Sequence, residues 1–252
     1  MPIDPNKILF LDIETASQRE FYSELNNDTQ VLWDSHTRSR REIKDPEKDT
    51  SETVYNRAAI YAEFGKIICV SCGYLTGNGE DRKLCVKSFC CEEEADLLRQ
   101  LYDLLQRWGN KDREIIDQGG KPEHYLCAHN GKEFDFPYMS RRMLINGIPL
   151  PEILNNYGKK PWEVPHLDTM ELWRFGDWKN FTTLNLLAHV FKVPSPKSDM
   201  DGSKIYEVYY KEKNLPRIVD YCEKDVVTLT QVYLRMNGFP LVKDENITIK
   251  YE

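Results

Sequence analysis

The sequence predicts an α/β fold, five strands interleaved with helices, and three observations carry that expectation. Residues 7–15 are an apolar run that reads as a strand buried on both faces. Two further apolar runs, 66–75 and 83–90, are joined by Gly77-Asn78-Gly79, a strong hairpin signal. Residues 92–108 and 216–234 place apolar side chains at helical spacing.

In the first strand side chains alternate, so Ile8, Phe10, Asp12 and Glu14 share one face and Leu9, Leu11 and Ile13 the other. Two acids therefore project side by side. Burying an ionised carboxylate without a partner is costly, and a hard divalent cation with oxygen ligands supplies the compensating charge most directly. An Asp-x-Glu triplet is expected about once by chance in such a chain. It occurs at Asp12/Glu14, Asp45/Glu47 and Asp112/Glu114, and only the first follows a strand; the other two read as solvated surface charge, and even the first can be a turn cap.

Residues 16–64 are too many for a plain connection and read as an insertion, partly helical near 54–62, with a basic knot at Arg38, Arg40 and Arg41. Such inserts are mostly solvated surface; a minority cover an active site. The two strands that follow suggest an antiparallel meander with the first. The helix over 92–108 has acids in its first turn and an apolar stripe of Leu97, Leu98, Leu101, Leu104, Leu105 and Trp108. Residues 109–123 read as a loop and 125–128 as a short strand. A helix then starts near Pro137 and stops at Asn146-Gly147, which sets Asp135 around its N-cap. Asp135 either caps that helix or faces the same cleft as Asp12 and Glu14, and both can hold together. Residues 166–170 read as the fifth strand, a helix follows from Thr182 or Thr183 to Phe191, and 194–202 form a loop.

The last long helix buries Ile218, Cys222, Val226, Leu229, Val232 and Tyr233, with Tyr221 and Asp225 one turn apart on the same side. An aspartate in a buried stripe requires a cation, and Lys224 points elsewhere; the alternative is a structural pair with an arginine.

The chain of 252 residues is 40% hydrophobic, enough for one substantial core, and 1–252 reads as a single domain. A net charge of −7 argues against holding nucleic acid mainly by bulk electrostatics. The first apolar run lacks signal-peptide character, and no window approaches a membrane span. Seven scattered cysteines fit reduced thiols and a cytoplasmic location. Cys69-x-x-Cys72 has metal-like spacing but lies in a strand, where positions three apart face opposite ways.

If Asp12, Glu14, Asp135 and Asp225 meet, they fit two Mg²⁺ or Mn²⁺ ions about 4 Å apart, a pair that activates water and orients a phosphodiester. Tyr221 would align the water rather than act as the base, since its ordinary pKa is near 10. No nucleophilic-serine motif, phosphate-cradling loop or supported His-Cys pair competes.

Asp12-Ile-Glu14, Asn130-x-x-x-Phe134-Asp135 and Tyr221-x-x-x-Asp225, in that order, resemble the three motifs of the DEDD (DnaQ-like) 3′-to-5′ exonuclease superfamily, and Tyr221 resembles its tyrosine subgroup. The surrounding residues are especially similar to the proofreading domain of family B DNA polymerases, over residues 7–235, so the chain looks like a stand-alone exonuclease. The resemblance implies a ribonuclease H-like fold, a mixed five-stranded sheet flanked by helices. It implies that Asp12 bridges two metals, that Glu14 and Asp225 hold the nucleophile-side metal beside Tyr221, and that Asp135 supports the second. Thr15, Asn130 and Phe134 would contact the 3′-terminal nucleotide. The implied activity releases nucleoside monophosphates from the 3′ end of single-stranded DNA. The alternatives are an exoribonuclease with the same site, or a non-catalytic module binding nucleic-acid ends. The insertion departs from the minimal fold. Basic candidates for the nucleic-acid backbone are Lys132, Arg141, Arg142, Lys159, Lys160 and Lys197.

Overall fold

The computed structural model describes residues 3–40, 43–45, 48–194 and 200–250. Arg41, Glu47 and Lys197 lie outside them.

The first strand, β1 (Ile8–Ser17), is central. It pairs antiparallel with β2 (Gly65–Thr76), and β2 pairs antiparallel with β3 (Lys83–Phe89), giving the expected meander. On its other edge β1 runs parallel to β4 (Tyr125–Ala128), which runs parallel to β5 (Leu167–Asp168). The sheet has six strands rather than five, because β6 (Ile247–Lys250) adds parallel to β3. Four residues are too few for a period to register, yet Ile247 and Ile249 pack against the core beneath the sheet. The order is β5-β4-β1-β2-β3-β6, a mixed α/β sheet flanked by helices in which the first five strands follow the ribonuclease H-like arrangement.

β1 is buried on both faces. Leu9, Leu11 and Ile13 pack with α2 (Glu94–Gly109) and α4 (Asp135–Ile145) through Leu98, Leu101, Met139 and Met143. Ile8 and Phe10 pack on the other side with α7 (Leu215–Met236), through Val226, Leu229 and Tyr233. Each such side chain contributes about 1.5–3 kcal/mol by leaving water. The approach of α7 is close: a Cβ at Gly73 in β2 would stand 2.8 Å from a Val226 methyl. Cys69 and Cys72 fall in different cores, as their spacing in a strand requires.

The insertion is not merely solvated surface. It forms α1 (Asn27–Ser39), capped by Asn26, and a 3₁₀ turn over Tyr55–Ile60 where partial helix is expected. Both enclose a small core around Trp33, whose indole donates to the Ser51 carbonyl at 2.7 Å and whose ring meets Tyr55 and Phe64 edge-on. Val31 and Leu32 of α1 are exposed, so one buried tryptophan rather than an apolar stripe holds the helix. The insertion is fastened to α4, where Tyr138 Oη donates to the Ala59 carbonyl and Arg142 Nη1 to the Ala62 carbonyl, each at 2.8 Å.

Two further differences are local. Residues 109–123 contain a short helix, α3 (Arg113–Asp117), instead of loop alone. The fifth strand is two residues long because the Asp168 side chain immediately caps α5 (Thr169–Arg174), accepting from the Met170 and Glu171 amides. Thr183 caps α6 (Leu184–Val190), as its position predicts.

Candidate active site

Asp12 and Glu14 project from β1 toward α7. The register between β1 and β2 shifts between Glu14 and Thr15, with Ile68 as the extra residue of β2. Such bulges bend a strand and re-aim its side chains. Tyr221, Cys222 and Asp225 come from α7 across the sheet face. Asp135 is the first residue of α4, one position inside the cap, so the positive end of that helix faces its carboxylate.

Asp12 and Glu14 lie together, and Asp135 and Asp225, outside that close set, are near enough for their charges to reach both. Asp12 is raised well above the ordinary carboxylate range, first by burial and then by the charges of Asp135 and Asp225. Glu14 is raised well above its range by burial and then by Asp12, Asp225 and Asp135. Burial, opposed by its own backbone amide and that of Ile13, lifts Asp135 to about 7. Burial lifts Asp225 to about 6, against a hydrogen bond from Tyr221. The same burial and the neighbouring Asp225 and Glu14 charges hold Tyr221 firmly as a phenol that donates. Among the described residues, no lysine, arginine or histidine pairs with any of the four acids. Lys224 pairs with Asp220.

Cys222 is a member of this cluster that sequence reasoning assigned to the apolar stripe. Its Sγ lies 3.4 Å from Asp12 Oδ2, and Asp12, Glu14 and Cys222 each offer a ligand atom within 4.8 Å of the others. Burial keeps it a thiol, so it donates to Asp12. Unbalanced, oxygen-rich and buried, the set of acids fits a hard divalent cation.

The loop 129–134 leads into α4 and Asp135. Asn130 takes a left-handed backbone conformation, φ 64°, which a side chain rarely adopts without outside support. Asp168 provides that support: its carboxylate accepts from the Asn130 amide at 2.9 Å and the Lys132 amide at 3.1 Å. His129 Nε2 faces the Thr182 carbonyl at 2.8 Å and must donate to it, so Nδ1 accepts from the Thr169 hydroxyl at 2.9 Å, a neutral ring favoured by burial. Neither Asp168 nor His129 was legible as part of the site, since their partners lie some 40 residues away. Phe134 lies against the ring of Tyr138, centroids 5.2 Å apart, and the Tyr138 hydroxyl donates to the Ala59 carbonyl.

Two of the expected backbone-binding cations are committed elsewhere. Arg142 is buried in a pair with Glu94, and Lys132 is paired with Glu171 at 2.6 Å. Arg38, Arg40, Arg141, Lys159 and Lys160 are exposed. A cavity of about 430 Å³ lined by Gln106, Asp112, Arg113, His124, Lys159 and His166 includes none of the four acids. Its buried groups serve the fold: Asp112 accepts the Glu123 and His124 amides, and His166, pushed down to about 4 by burial, donates to the Ile153 carbonyl.

The raised carboxyls have a consequence for stability. A group whose pKa is higher folded than unfolded stabilises the fold below its unfolded value and loses that contribution as pH rises through the folded one. For Asp225 and Asp135 that loss spans about pH 4 to 7, from their ordinary value to their folded one. Thermal melts in EDTA are expected to fall by on the order of 5–10 °C over this window, with Mn²⁺ restoring most of the loss at the upper end. A flat profile that ignores Mn²⁺ would contradict the cluster.

A family model described as "Predicted 3'-5' exonuclease related to the exonuclease domain of PolB" matches residues 60–245, a stretch that holds Asn130, Phe134, Asp135, Tyr221 and Asp225 and begins after Asp12 and Glu14. No curated protein matches the chain. Among solved structures it is similar to the family B DNA polymerase of the hyperthermophilic archaeon Pyrobaculum calidifontis, with 16% identity and a TM-score of 0.49. That similarity covers 90% of this chain and 24% of the polymerase, so the chain spans about a quarter of the polymerase's length.

Proposed function

Because the chain belongs to the family of predicted 3′-5′ exonucleases related to the exonuclease domain of PolB, we propose that it is a metal-dependent 3′-to-5′ exonuclease of the tyrosine subgroup. It hydrolyses the terminal phosphodiester of single-stranded DNA and releases nucleoside monophosphates. The observation that carries this reading is the pair Asp12 and Glu14 on β1, reached by the charges of Asp135 and Asp225, with no protein cation to balance the four among the described residues. Asp12, Glu14, Asp135 and Asp225 would hold two Mg²⁺ or Mn²⁺ ions. Bound there, the ions lower the pKa of water and neutralise charge on the phosphodiester and the leaving oxygen.

The chain's own residues do the positioning. Tyr221, held as a phenol one turn before Asp225, orients the attacking water. Cys222 fixes the rotamer of Asp12 by its thiol hydrogen bond. Thr15, Asn130 and Phe134 receive the terminal nucleotide: Asp168 locks the turn at Asn130, and the Tyr138 ring backs Phe134.

The test is a gel assay of 5′-labelled single-stranded DNA and RNA of one sequence, with Mn²⁺ or EDTA. A metal-dependent ladder shortening from the 3′ end is expected, stronger on DNA; a stronger RNA ladder would make the enzyme an exoribonuclease. Tyr221→Phe should slow cleavage by about 10- to 100-fold while keeping the Mn²⁺-induced rise in melting temperature. No ladder on either strand would refute the enzymatic reading and favour a module that binds ends.

A further inference from the structure

The loop between α5 and α6 carries Phe175, Trp178 and Phe181, exposed to 88%, 65% and 67%. Three large rings left in water in one short segment exceed the scattered exposure of an ordinary soluble surface. The loop is braced. Arg174, only 7% exposed, lays its guanidinium 4.8 Å from the Phe181 ring centre and 5.9 Å from that of Trp178. It also donates through Nε to the Asn180 carbonyl at 3.1 Å and meets Glu133 Oε1 at 3.4 Å. Thr182 bonds Asn180 through its hydroxyl and receives His129 at its carbonyl. Phe175 holds a left-handed φ of 44°, a conformation unfavourable to a bulky side chain.

We propose that Trp178 and Phe181, braced by Arg174, form a stacking platform for bases of a single-stranded nucleic acid leading into the carboxylate site. The proposal rests on the exonuclease reading for the polarity of the strand, its 3′ end at the acids, while the stacking stands without it.

Three observations favour this occupant. The platform's anchors, His129 and Glu133, belong to the same loop as Asn130 and Phe134, so the rings are continuous with the candidate site. The chain carries a net charge of −7, and Lys132 and Arg142 are spent on internal pairs, so phosphate contacts alone hold a strand poorly. Base stacking on aromatic rings has no such requirement and accepts any sequence, and a guanidinium beside the ring adds a cation–π contribution. Finally, Arg174, Asp177, Lys179 and Asn180 are interleaved with the rings along the loop, the mix of rings and polar groups that a strand of bases and phosphates meets. Lys179 is exposed on this loop to meet a phosphate, while Asp177 turns its carboxylate to the Lys179 amide at 3.1 Å.

The experiment uses the full chain in EDTA, which silences cleavage, and reads fluorescence anisotropy. The probes are labelled oligothymidylate, oligouridylate and an abasic strand, each about 12 units long. Wild type is expected to bind both base-bearing strands at least about tenfold more tightly than the abasic one. The Trp178→Ala/Phe181→Ala double variant should lose about 10- to 100-fold on them, and Trp178→Phe should retain most of the affinity. Equal binding of the abasic strand by wild type, or unchanged binding by a folded double variant, overturns the proposal; the latter leaves the rings as a protein-docking face. A separate Mn²⁺ ladder assay on wild type keeps the two readings distinguishable. Stacking without a ladder removes the exonuclease and leaves the platform, and a ladder without stacking does the reverse.

Discussion

Asp12→Asn is expected to abolish metal-dependent cleavage, by on the order of 10³-fold or more, and at the same time to raise the melting temperature of the metal-free protein at pH above about 7. The activity loss follows from removing the carboxylate at the centre of the cluster, which feels both Asp135 and Asp225 and receives the Cys222 thiol. Charge stabilisation by a bound metal is worth several kcal/mol, and each 1.36 kcal/mol is about tenfold in rate. The stability gain follows from the same contacts. Asparagine keeps the shape of aspartate but removes one of several like charges buried together, so its neighbours ionise at less cost. Mn²⁺ should no longer raise the melting temperature. Opposite signs for stability and activity mark a site held together against its own repulsion. A variant that loses stability in EDTA yet keeps the Mn²⁺ response would mean that Asp12 is structural.

What the sequence revealed and what it hid separate along a physical line. The two faces of β1 and the buried stripe of α7 were legible because each depends on periodicity within one element. Asp12, Glu14 and Asp225 stood out as acids in apolar surroundings, a conflict that local reading detects. The core of the insertion was not legible. Tyr22, Trp33, Tyr55 and Phe64 come from separated positions with no common period, and only folding brings them together. Asp168 was hidden for the same reason: it sits in an expected strand, but its work is to accept two amides from a loop far back in the chain. Arg142 was misread as a surface cation, because its exposure is decided by a helix and an insertion that arrive from elsewhere.

That arginine carries the other large expected effect, Glu94→Ala. The Glu94 carboxylate accepts from Arg142 at 2.9 and 2.5 Å, from the Ile67 amide at 2.7 Å and from Asn146 at 3.1 Å. Through Arg142 it also reaches the Ala62 carbonyl. One side chain at the start of α2 thus joins β2, α4 and the end of the insertion. Truncating it leaves a buried guanidinium without its counter-charge and a strand amide without its acceptor, a loss of about 3–5 kcal/mol. Melting temperature should fall by roughly 6–20 °C, measured by calorimetry in EDTA. The effect should extend to the site, because α4 presents Asp135 at its first turn and Tyr138 beneath Phe134. Cleavage should therefore weaken through KM and metal affinity as well as through loss of folded protein. Arg142→Met in the Glu94→Ala background should recover much of the stability by filling the space without a charge, whereas it should recover none if the pair were merely a surface contact. That recovery separates the cost of an orphaned charge from the loss of an attraction, and it decides whether α4 is held by this pair or by its apolar face alone.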